Sequence, residues 1–348
     1  MKANIPYSDK TILVCPLDWG LGHAVRCVPL IKQLQLQNNK IIIACTDWQK
    51  KFLQSEIENA TYVALLGYNV TYSKNLSFGL KLALQFPRLS SIVKREHKWL
   101  NEFLKNTKVD VVISDNRFGL YHKNIESVFI THQLFVPAPF LKRFINRINF
   151  SFIKRYNACW VPDFESEEHS LSGALSHGDL KLQNVKYIGP LSRFKRNTAS
   201  KENKFDVLIL LSGVEPQRTL LEEKLTEVLA GTDLHIALVR GISGENKKQF
   251  PKNFTVYNSA NTKELEQLFR SSKKIICRSG YSTLMDLHAL GLKALLVPTP
   301  GQTEQEYLAE YWHKKFGYNY IEQNNITPEN INDLLELKEN VVPQKQSV

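Results

Sequence analysis

Short apolar segments rich in β-branched residues recur along the chain and alternate with longer amphipathic segments. They read TILVCP, KIIIAC, YVALL, DVVISD, SVFIT, ACWVP and VKYIGP in the first half, and VLILLSG, HIALVR, FTVYN, KKIICRSG and KALLVPTP in the second. Strands that alternate with helices are typical of parallel sheets covered by helices on both faces. The sequence therefore predicts an α/β protein built from doubly wound, Rossmann-like sheets.

A polar and basic stretch, GPLSRFKRNTASKENKFD, interrupts this alternation near the middle of the chain. Such stretches are typical of linkers, and 348 residues are enough for two domains. We predict a first domain over residues 1–190, a linker over 191–204, a second domain over 205–335 and a tail over 336–348. Because doubly wound sheets bind ligands at the carboxyl ends of their strands, we expect the two domains to face a cleft.

Basic residues outnumber acidic ones, with 45 Lys and Arg against 34 Asp and Glu and a formal net charge of +11. Such an excess indicates an anionic partner, and the candidates are nucleic acid, anionic lipid headgroups and a phosphorylated substrate. The basic residues lie in no nucleic-acid-binding motif. We therefore expect no nucleic-acid partner.

One segment, residues 127–162, contains no acidic residue and mixes basic with aromatic side chains. Its basic residues are Lys142, Arg143, Arg147, Lys154 and Arg155, and its aromatic residues include Phe135, Phe140, Phe144, Phe150, Phe152 and Tyr156. Cations among exposed rings suit an anionic membrane surface, where rings enter the headgroup boundary. A core helix with a solvated basic face explains the same pattern, so both interpretations stay open.

We expect no segment that directs the chain into or across a membrane. The sequence contains no run of about 18 apolar residues, and MKANIPYSDK lacks the apolar core of a signal peptide. The five cysteines are an odd number and suit reduced thiols. We expect a cytoplasmic protein, peripheral on the inner face of the membrane if the basic segment binds lipid. With no CxxC and no Asp-x-Asp triplet, we predict neither a metal nor a cofactor.

The glycine-rich segment PLDWGLGHAVRCVPL, residues 16–30, follows the first predicted strand. It begins like the dinucleotide fingerprint GxGxxG, but Val25 stands in place of the third glycine, and the GK[ST] ending of a P-loop is missing. A strand, a tight turn at Gly20 and Gly22, and a helix starting near His23 remain. An imidazole there can act as a general base near neutral pH, although a histidine at a helix start is more often a capping or packing residue.

A second glycine-containing turn lies in residues 273–312, where a strand, a turn, a helix, a strand and a Pro/Gly loop follow one another. The turn and the start of the helix contain Ser279, Gly280, Ser282 and Thr283. Free N–H groups and the helix dipole at such a position favour a diphosphate. Asp286 follows on the same helix, where a carboxylate can accept hydrogen bonds from a ribose. Gln305 and Glu306 open the next helix and can bind sugar hydroxyls.

This second segment resembles the nucleotide-sugar site of GT-B glycosyltransferases, and most closely that of the MurG-like family. In that family a strand ends in a Cys-Arg-Ser-Gly turn, an acidic residue on the next helix binds the donor ribose, and a later loop carries glutamines for the sugar. The resemblance implies a donor role for Arg278, for Asp286 in place of the usual Glu, and for Gln305. Glu306 stands where the family often has a second Gln, so the identity of the donor sugar stays open.

The first half of the chain is similar to the same family. The family's N-terminal glycine loop ends in Gly-His, which matches Gly22 and His23, and ITHQL resembles its acceptor-side loop through His132 and Gln133. Asp115 ends the neighbouring strand. The segment LLSGVEPQR resembles the turn that faces the donor phosphates, which implies a donor role for Ser212 and Gly213.

The resemblance implies transfer of a sugar from a nucleotide-diphosphate donor to a hydroxyl acceptor, with His23 as the base. The donor would be UDP-linked, and the acceptor would be lipid-linked or close to a membrane. A nucleotide-sugar epimerase of the same fold and a non-catalytic nucleotide-sugar-binding subunit are the alternatives. An epimerase needs no acceptor, and a binding subunit needs no base.

Overall fold

The structure, a computed structural model, describes residues 5–68, 78–137, 142–180, 182–196, 203–213, 215–242, 244 and 248–331, and over residues 78–88 it describes the backbone alone. The chain divides into two units, Met1–Leu191 and Ser192–Val348. The predicted tail, residues 336–348, lies outside the described residues, as do Phe140 and residues 197–202 of the predicted linker.

Seven parallel strands form the sheet of the first unit, in the order β3-β2-β1-β4-β5-β6-β7. They are β1 (Thr11–Pro16), β2 (Lys40–Cys45), β3 (Ala60–Ala64), β4 (Val111–Asp115), β5 (Glu126–Ile130), β6 (Ala158–Val161) and β7 (Val185–Tyr187). The helices are α1 (Leu21–Leu36), α2 (Asp47–Glu56), α3 (Phe78–Asn106) and α4 (Lys142–Ile153). The strand order reverses between β1 and β4, the place where such sheets bind ligands.

Six parallel strands form the sheet of the second unit, in the order β10-β9-β8-β11-β12-β13. They are β8 (Phe205–Leu210), β9 (Ile236–Val239), β10 (Phe254–Tyr257), β11 (Ser272–Cys277), β12 (Leu295–Leu296) and β13 (Asn319–Tyr320). The helices are α5 (Gln217–Leu229), α6 (Thr262–Arg270), α7 (Tyr281–Leu290) and α8 (Thr303–Phe316). This order repeats that of the first six strands of the first unit, so the reversal falls between β8 and β11.

The predicted fold class, α/β with two doubly wound sheets, is confirmed. Each predicted apolar segment contains or overlaps a strand, because a strand of a sheet covered on both faces buries nearly every side chain. In β1 and β4 all but one of the side chains are buried. Strand β13 was not predicted, since two residues are too short to form a recognisable apolar pattern.

A buried carboxylate ties the loops of the second unit together. Glu222 on α5 accepts hydrogen bonds from Arg240 Nε at 2.8 Å, from Arg218 Nη1 at 2.7 Å and from Lys248 Nζ at 3.0 Å. Burial opposes the charge of Glu222, but these cations hold its pKa at about 2. The carboxylate is therefore ionised at neutral pH and binds the segment that follows β9 to α5.

Part of the stretch predicted as a linker packs on the second unit. Phe194 is buried and meets the ring of Phe269 on α6 edge to face, with centroids 5.7 Å apart. Ser192 and Arg193 also contact second-unit side chains. The polar composition of the stretch hid this packing, because one aromatic residue among many polar ones makes no periodic pattern.

The basic and aromatic segment forms α4 and the chain around it. Phe135, Phe150 and Tyr156 belong to the core of the first unit, whereas Phe144 is 59% exposed. The basic side chains of α4 and the residues after it are exposed, namely Lys142, Arg143, Arg147, Lys154 and Arg155. Three of the five named rings that the structure describes thus pack in the core, and the exposed face is basic with Phe144 among the cations. No helix within the described ranges is long and apolar enough to cross a membrane.

Candidate functional site

The first candidate site lies where the order of the first sheet reverses, at the carboxyl ends of β1 and β4. Pro16, the last residue of β1, pairs in register with Asp115, the last residue of β4. The chain then turns at Gly20, whose φ of 74° lies in the left-handed region that glycine adopts without strain. Because α1 begins at Leu21, directly after the turn, His23 lies in its first turn and beside Asp115.

The imidazole of His23 meets two charged side chains through one nitrogen. Its Nδ1 lies 3.2 Å from Asp115 Oδ2 and 2.9 Å from Arg26 Nη2. The side chain is 14% exposed, and its Nε2 has no hydrogen-bond partner among the residues that the structure describes. An imidazole held through Nδ1 in this way leaves Nε2 able to take a proton from a substrate.

Arg26, which the sequence analysis did not single out, is the centre of this cluster. Its buried guanidinium donates through Nε to Asp115 Oδ2 at 2.8 Å and through Nη2 to Asp115 Oδ1. Its Nη1 lies 3.0 Å from His132 Nδ1. A signal for it exists in the sequence, since Arg26 is the one charged residue on a helix face otherwise formed by residues such as Cys27 and Leu30.

The cluster sets the charge of its members. Burial raises the pKa of Asp115, but Arg26 and His23 outweigh burial and hold that pKa below its ordinary value. Burial lowers the pKa of His23, which Asp115 opposes and Arg26 reinforces, and the result lies below the ordinary value for histidine. At neutral pH the site therefore contains a carboxylate, a guanidinium and a neutral imidazole.

The loop after β5 completes the first site. His132 is buried and contacts Arg26, as described above. Asn149 on α4 donates its amide to the carbonyl oxygens of Gln133 at 3.3 Å and Leu134 at 2.9 Å. The structure thus brings His132 into the cluster, whereas Gln133 is held through its backbone.

A buried ion network supports the loops beside His23. Arg117 donates to Glu96 Oε1 at 2.9 Å and to Asp18 Oδ1 at 3.3 Å. Tyr68 donates its hydroxyl to Glu96 Oε2 and its backbone N–H to Asp18 Oδ1, both at 3.0 Å. The loops after β1, β3 and β4 are thereby joined, and Trp19, which meets the ring of Tyr68 edge to face, is 42% exposed just before the glycine turn.

The second candidate site lies at the reversal of the second sheet. Leu210, at the end of β8, pairs in register with Cys277, at the end of β11. Ser212 and Gly213 follow β8, and Gly213 has a φ of 106°, which a residue with a side chain rarely adopts. The predicted Ser-Gly turn therefore lies beside the turn that leads into α7.

The N-terminus of α7 carries the predicted diphosphate contacts. Gly280 directly precedes the helix, and Ser282 and Thr283 lie partly exposed in its first turn. The N–H groups of a first helical turn have no acceptor within the helix, and the dipole favours an anion there. Ser279, in contrast, is buried and donates its hydroxyl to the carbonyl oxygen of Gln305 at 2.7 Å. Its side chain joins two loops rather than facing solvent.

Arg278 is buried, and its guanidinium binds neutral oxygen atoms. Nη1 donates to the backbone carbonyl oxygens of Val297 at 3.2 Å and Pro298 at 3.1 Å. Nη2 donates to the backbone carbonyl oxygen of Gln217 and to Gln323 Oε1, both at 2.7 Å. Its Nε is buried and has no hydrogen-bond partner within the described part of the chain. No carboxylate among these described residues pairs with the guanidinium either. Burial lowers its pKa to about 10, so it stays a cation that joins three segments of the second unit.

Asp286, the predicted ribose ligand, is buried and already paired. Its Oδ1 accepts a hydrogen bond from Ser192 Oγ at 2.6 Å, and its Oδ2 lies 3.5 Å from Arg193 Nε. Burial raises the pKa of Asp286, and Arg193 and Ser192 oppose that rise. Its ribose role stays a prediction.

Gln305 and Glu306 lie in the first turn of α8 and face the loop that follows β12. Gln305 is buried, and its Oε1 accepts from both the N–H and the hydroxyl of Thr299, each at 2.9 Å. Glu306 is exposed, and its Oε1 accepts from the N–H of Gly301 at 2.8 Å. Because Thr299 occupies the carbonyl oxygen of the Gln305 amide, Nε2 is the end of that amide left for a ligand.

Three of the predicted first-unit residues, His23, Asp115 and His132, form one cluster, and Gly22 is the second residue of α1. The residues that sequence reasoning missed are Arg26, Thr299 and Arg117, whose roles come from contacts distant in sequence. Within the described ranges no group of three His, Cys, Asp or Glu side chains is placed to hold a metal ion.

Sequence comparison relates the chain to glycosyltransferases. Residues 208–345 match the family described as the glycosyltransferase family 28 C-terminal domain. An uncharacterized glycosyltransferase of Methanosarcina acetivorans is 23% identical over 310 residues, which cover 82% of this chain and 79% of the relative. One of Methanosarcina mazei is 22% identical over the same length and the same shares of each chain.

Solved structures with the same fold are glycosyltransferases as well. CalG4, the calicheamicin glycosyltransferase, has a TM-score of 0.64 at 13% identity and covers 94% of this chain and 89% of its own. The glycotransferase of kitacinnamycin has a TM-score of 0.64 at 15% identity, with coverage of 95% and 91%. Arabidopsis thaliana UGT89C1, solved with UDP, has a TM-score of 0.61 at 16% identity, with coverage of 94% and 89%. Both units therefore have the architecture of the GT-B fold.

Proposed function

We propose that this chain, whose residues 208–345 match the glycosyltransferase family 28 C-terminal domain and whose relatives are glycosyltransferases, transfers a hexose or N-acetylhexosamine from a UDP-sugar to a hydroxyl acceptor. The hydrogen-bonded cluster of His23, Asp115 and Arg26 carries this proposal, because a hydroxyl nucleophile needs a base. The choice of uridine is supported by the structures of Arabidopsis thaliana UGT89C1, which were solved with UDP and with UDP-L-rhamnose.

His23 is the proposed base. Asp115 is ionised and can only accept hydrogen bonds, so it favours a proton on His23 Nδ1, 3.2 Å from its Oδ2. The lone pair of the neutral imidazole is then on Nε2. After Nε2 takes a proton, the carboxylate stabilises the imidazolium, as in other His-Asp pairs.

The proposed reaction is a single displacement at the anomeric carbon. The acceptor oxygen forms a bond to that carbon while its proton moves to His23 Nε2. The bond between the anomeric carbon and the β-phosphate oxygen breaks, and its electron pair stays on the leaving UDP. The products are the glycosylated acceptor, UDP and one proton, which His23 returns to solvent.

The leaving diphosphate gains negative charge as this bond breaks. We assign its stabilisation to the N–H groups of the first turn of α7, near Gly280, Ser282 and Thr283, and to Ser212 and Gly213 after β8. Arg278 contributes as a buried cation without a carboxylate partner among the described residues, and it acts through its field rather than through direct contact. No metal is needed to neutralise the charge in this scheme.

The donor sugar would contact Gln305 and Glu306. The amide of Gln305 presents Nε2, a donor, because its Oε1 is used by Thr299. Glu306 is a carboxylate and presents an acceptor. A sugar that pairs with both needs an acceptor oxygen, from a hydroxyl or an acetamido carbonyl, next to a hydroxyl that can donate.

The acceptor is proposed to be lipid-linked or membrane-proximal. The exposed basic face of α4, with Phe144 59% exposed among its cations, suits the surface of an anionic bilayer. The face belongs to the unit that contains His23. Binding there would bring the base close to acceptors held in the membrane.

Ligand-observed NMR with a panel of nucleotide-sugars tests the donor without requiring the acceptor. We expect binding of UDP and of one or more UDP-sugars, and release of UDP when the cognate hydroxyl acceptor is added. The His23→Ala variant should bind the donor normally and lose transfer, and EDTA should leave transfer by the unaltered protein unchanged.

Other outcomes would contradict the proposal. Conversion of a UDP-sugar to its epimer without acceptor would indicate an epimerase. Tight UDP binding with no product from any donor and acceptor pair would indicate a binding subunit. Full transfer by the His23→Ala variant would remove His23 from the role of base.

A further inference from the structure

A single guanidinium joins both histidines of the first site to the carboxylate between them. Arg26 Nη1 lies 3.0 Å from His132 Nδ1, and Arg26 Nη2 lies 2.9 Å from His23 Nδ1. Arg26 Nε donates to Asp115 Oδ2 at 2.8 Å, and Nη2 also donates to Asp115 Oδ1. All three nitrogens of the guanidinium are thus directed at groups of the proposed catalytic cluster.

We propose that Arg26 is a positioning residue that sets the proton positions of both imidazoles, an inference that rests on the function proposed above. It holds neutral His132 with its proton on Nε2. It also offsets the charge of Asp115, so that His23 stays neutral and able to accept a proton.

The tautomer of His132 follows from what a guanidinium can do. Arginine only donates hydrogen bonds and keeps its charge at any pH the protein meets. We therefore assign a lone pair to His132 Nδ1, which lies 3.0 Å from Arg26 Nη1, so that this nitrogen carries no proton. Neutral His132 then carries its proton on Nε2, and a positive charge on His132 would face Arg26 directly.

His23 Nδ1 lies between a group that only accepts and a group that only donates. Arg26 Nη2, 2.9 Å from Nδ1, favours a lone pair there but also donates to Asp115 Oδ1, whereas the carboxylate oxygen Asp115 Oδ2, 3.2 Å from Nδ1, favours a proton. The negative charge of Asp115 attracts the Nδ1 proton, so the two imidazoles have opposite tautomers. His23 bonds through Nδ1–H and His132 through an unprotonated Nδ1.

The charge of the cluster explains why an arginine is present. The charged and titratable groups that act on His23 are Asp115 from β4, Arg26 from α1 and His132 from the loop after β5. The thiol of Cys27, also on α1, contacts Asp115 Oδ2 at 3.6 Å. Burial raises the pKa of Cys27 well above its ordinary value, so the thiol is neutral. Arg26 and Asp115 cancel, and a proton on His23 would leave a net positive charge in a buried site.

Without Arg26 the electrostatics of the cluster would favour the protonated form of His23. The charge of Asp115 would be unopposed, and an imidazolium at His23 would neutralise it. His23 would then be protonated at pH values where it must be neutral to act as a base. Lysine in place of Arg26 would keep the charge, but a single ammonium cannot contact Asp115 and both histidines at once.

The pH dependence of kcat/KM for the Arg26→Met and Arg26→Lys variants tests this role. A base loses activity as the pH falls through its pKa, so a raised pKa of His23 moves the acid limb to higher pH. We expect a move of about one pH unit or more for Arg26→Met and a smaller one for Arg26→Lys. Arg240→Lys is the control for a buried arginine outside the first site, because Arg240 is equally buried and pairs with Glu222 in the second unit.

Nitrogen-15 spectra of histidine-labelled protein provide a readout that does not need turnover. In the unaltered protein at neutral pH we expect His132 as the Nε2–H tautomer and His23 as the Nδ1–H tautomer, with assignments from His23→Ala and His132→Ala. In Arg26→Met, His132 should populate both tautomers and His23 should titrate at higher pH.

The two readouts separate this inference from the proposed function. An Nδ1–H tautomer for His132 in the unaltered protein would overturn it, whether or not any variant folds. So would an unmoved acid limb in a folded Arg26→Met protein, or an equal move in Arg240→Lys. Full transfer by His23→Ala would instead contradict the proposed base, while the spectra would still report on Arg26.

Discussion

Thr299 donates both its backbone N–H and its hydroxyl to Gln305 Oε1, each at 2.9 Å, and so fixes which end of the Gln305 amide is available to a ligand. An amide otherwise presents a donor and an acceptor that are nearly identical in shape. In the proposed site this contact decides that the donor sugar meets an N–H group.

Replacing Thr299 by Val should make the orientation of the Gln305 amide less fixed. Val keeps the backbone N–H bond and the shape of the side chain but loses the hydrogen bond from the hydroxyl. Such a bond contributes about 1 kcal/mol, or a factor of about 5 in affinity. We expect the Kd of the UDP-sugar to rise by that factor, with the Kd of UDP unchanged, as measured by calorimetry. Thr226→Val, which removes a hydroxyl bonded within α5, is the control. Equally weaker binding of UDP would indicate that Thr299 stabilises the fold rather than orients Gln305 for the sugar.

The bond between Ser192 and Asp286 should compete with the donor. If a ribose hydroxyl replaces Ser192, then Ser192→Ala removes a bond that must be broken, and UDP should bind about 5-fold more tightly. Asp286→Asn should weaken UDP binding with or without Ser192. Ser271→Ala, which removes a buried hydroxyl bonded to Gln267, should change neither. Unchanged UDP affinity in Ser192→Ala would exclude this exchange.

Asp115→Asn should reduce kcat by about 10³-fold or more, because an amide can hold the wrong tautomer of His23. The Kd of UDP should be unchanged, since the proposed nucleotide contacts belong to the second unit. Asp110→Asn is the control at the residue directly before the same strand, where Asp110 accepts from the N–H of Thr11 at 2.8 Å. Comparable loss of kcat in both variants would mean that the strand, rather than the site, had been damaged.

Glu222→Gln should destabilise the second unit by about 3 kcal/mol at pH 7, because it leaves three cations around a neutral group. The pKa of Glu222 is about 2 when folded and near its ordinary value when unfolded. Its stabilisation is therefore present above pH of about 4.5 and is lost as the pH falls towards 2. Urea unfolding at pH 7 and pH 3 should show the difference shrinking. Glu223→Gln, at a residue 58% exposed, should be nearly neutral at both values.

Much of the architecture could be predicted because it depends on local patterns. TILVCP and KIIIAC are the strands β1 and β2 residue for residue, since burial on both faces requires continuous apolar runs. The turn at Gly20 and the end of β4 at Asp115 could be predicted from the sequence for the same reason. Parallel pairing of these two strands then places His23 beside Asp115.

The contacts that organise each site were not predictable in this way. Arg26 is a charged residue among apolar neighbours, and its partner Asp115 lies 89 positions away. Asp286 carries the residue type that a ribose ligand needs, yet Ser192, from a stretch that resembles a linker, is bonded to it. Such pairs depend on how segments distant in sequence pack together, and the local hydrophobic periodicity of the sequence does not determine that packing.

The two sheets share one strand order, and each packs a core made from residues of its own unit. These core clusters of the two units share no residue. Under the proposed division of labour, a lineage could acquire a new acceptor through substitutions near Trp19 or α4 while its donor recognition stayed as it was. Diversification of product can thus proceed without loss of the activated sugar that the cell already supplies.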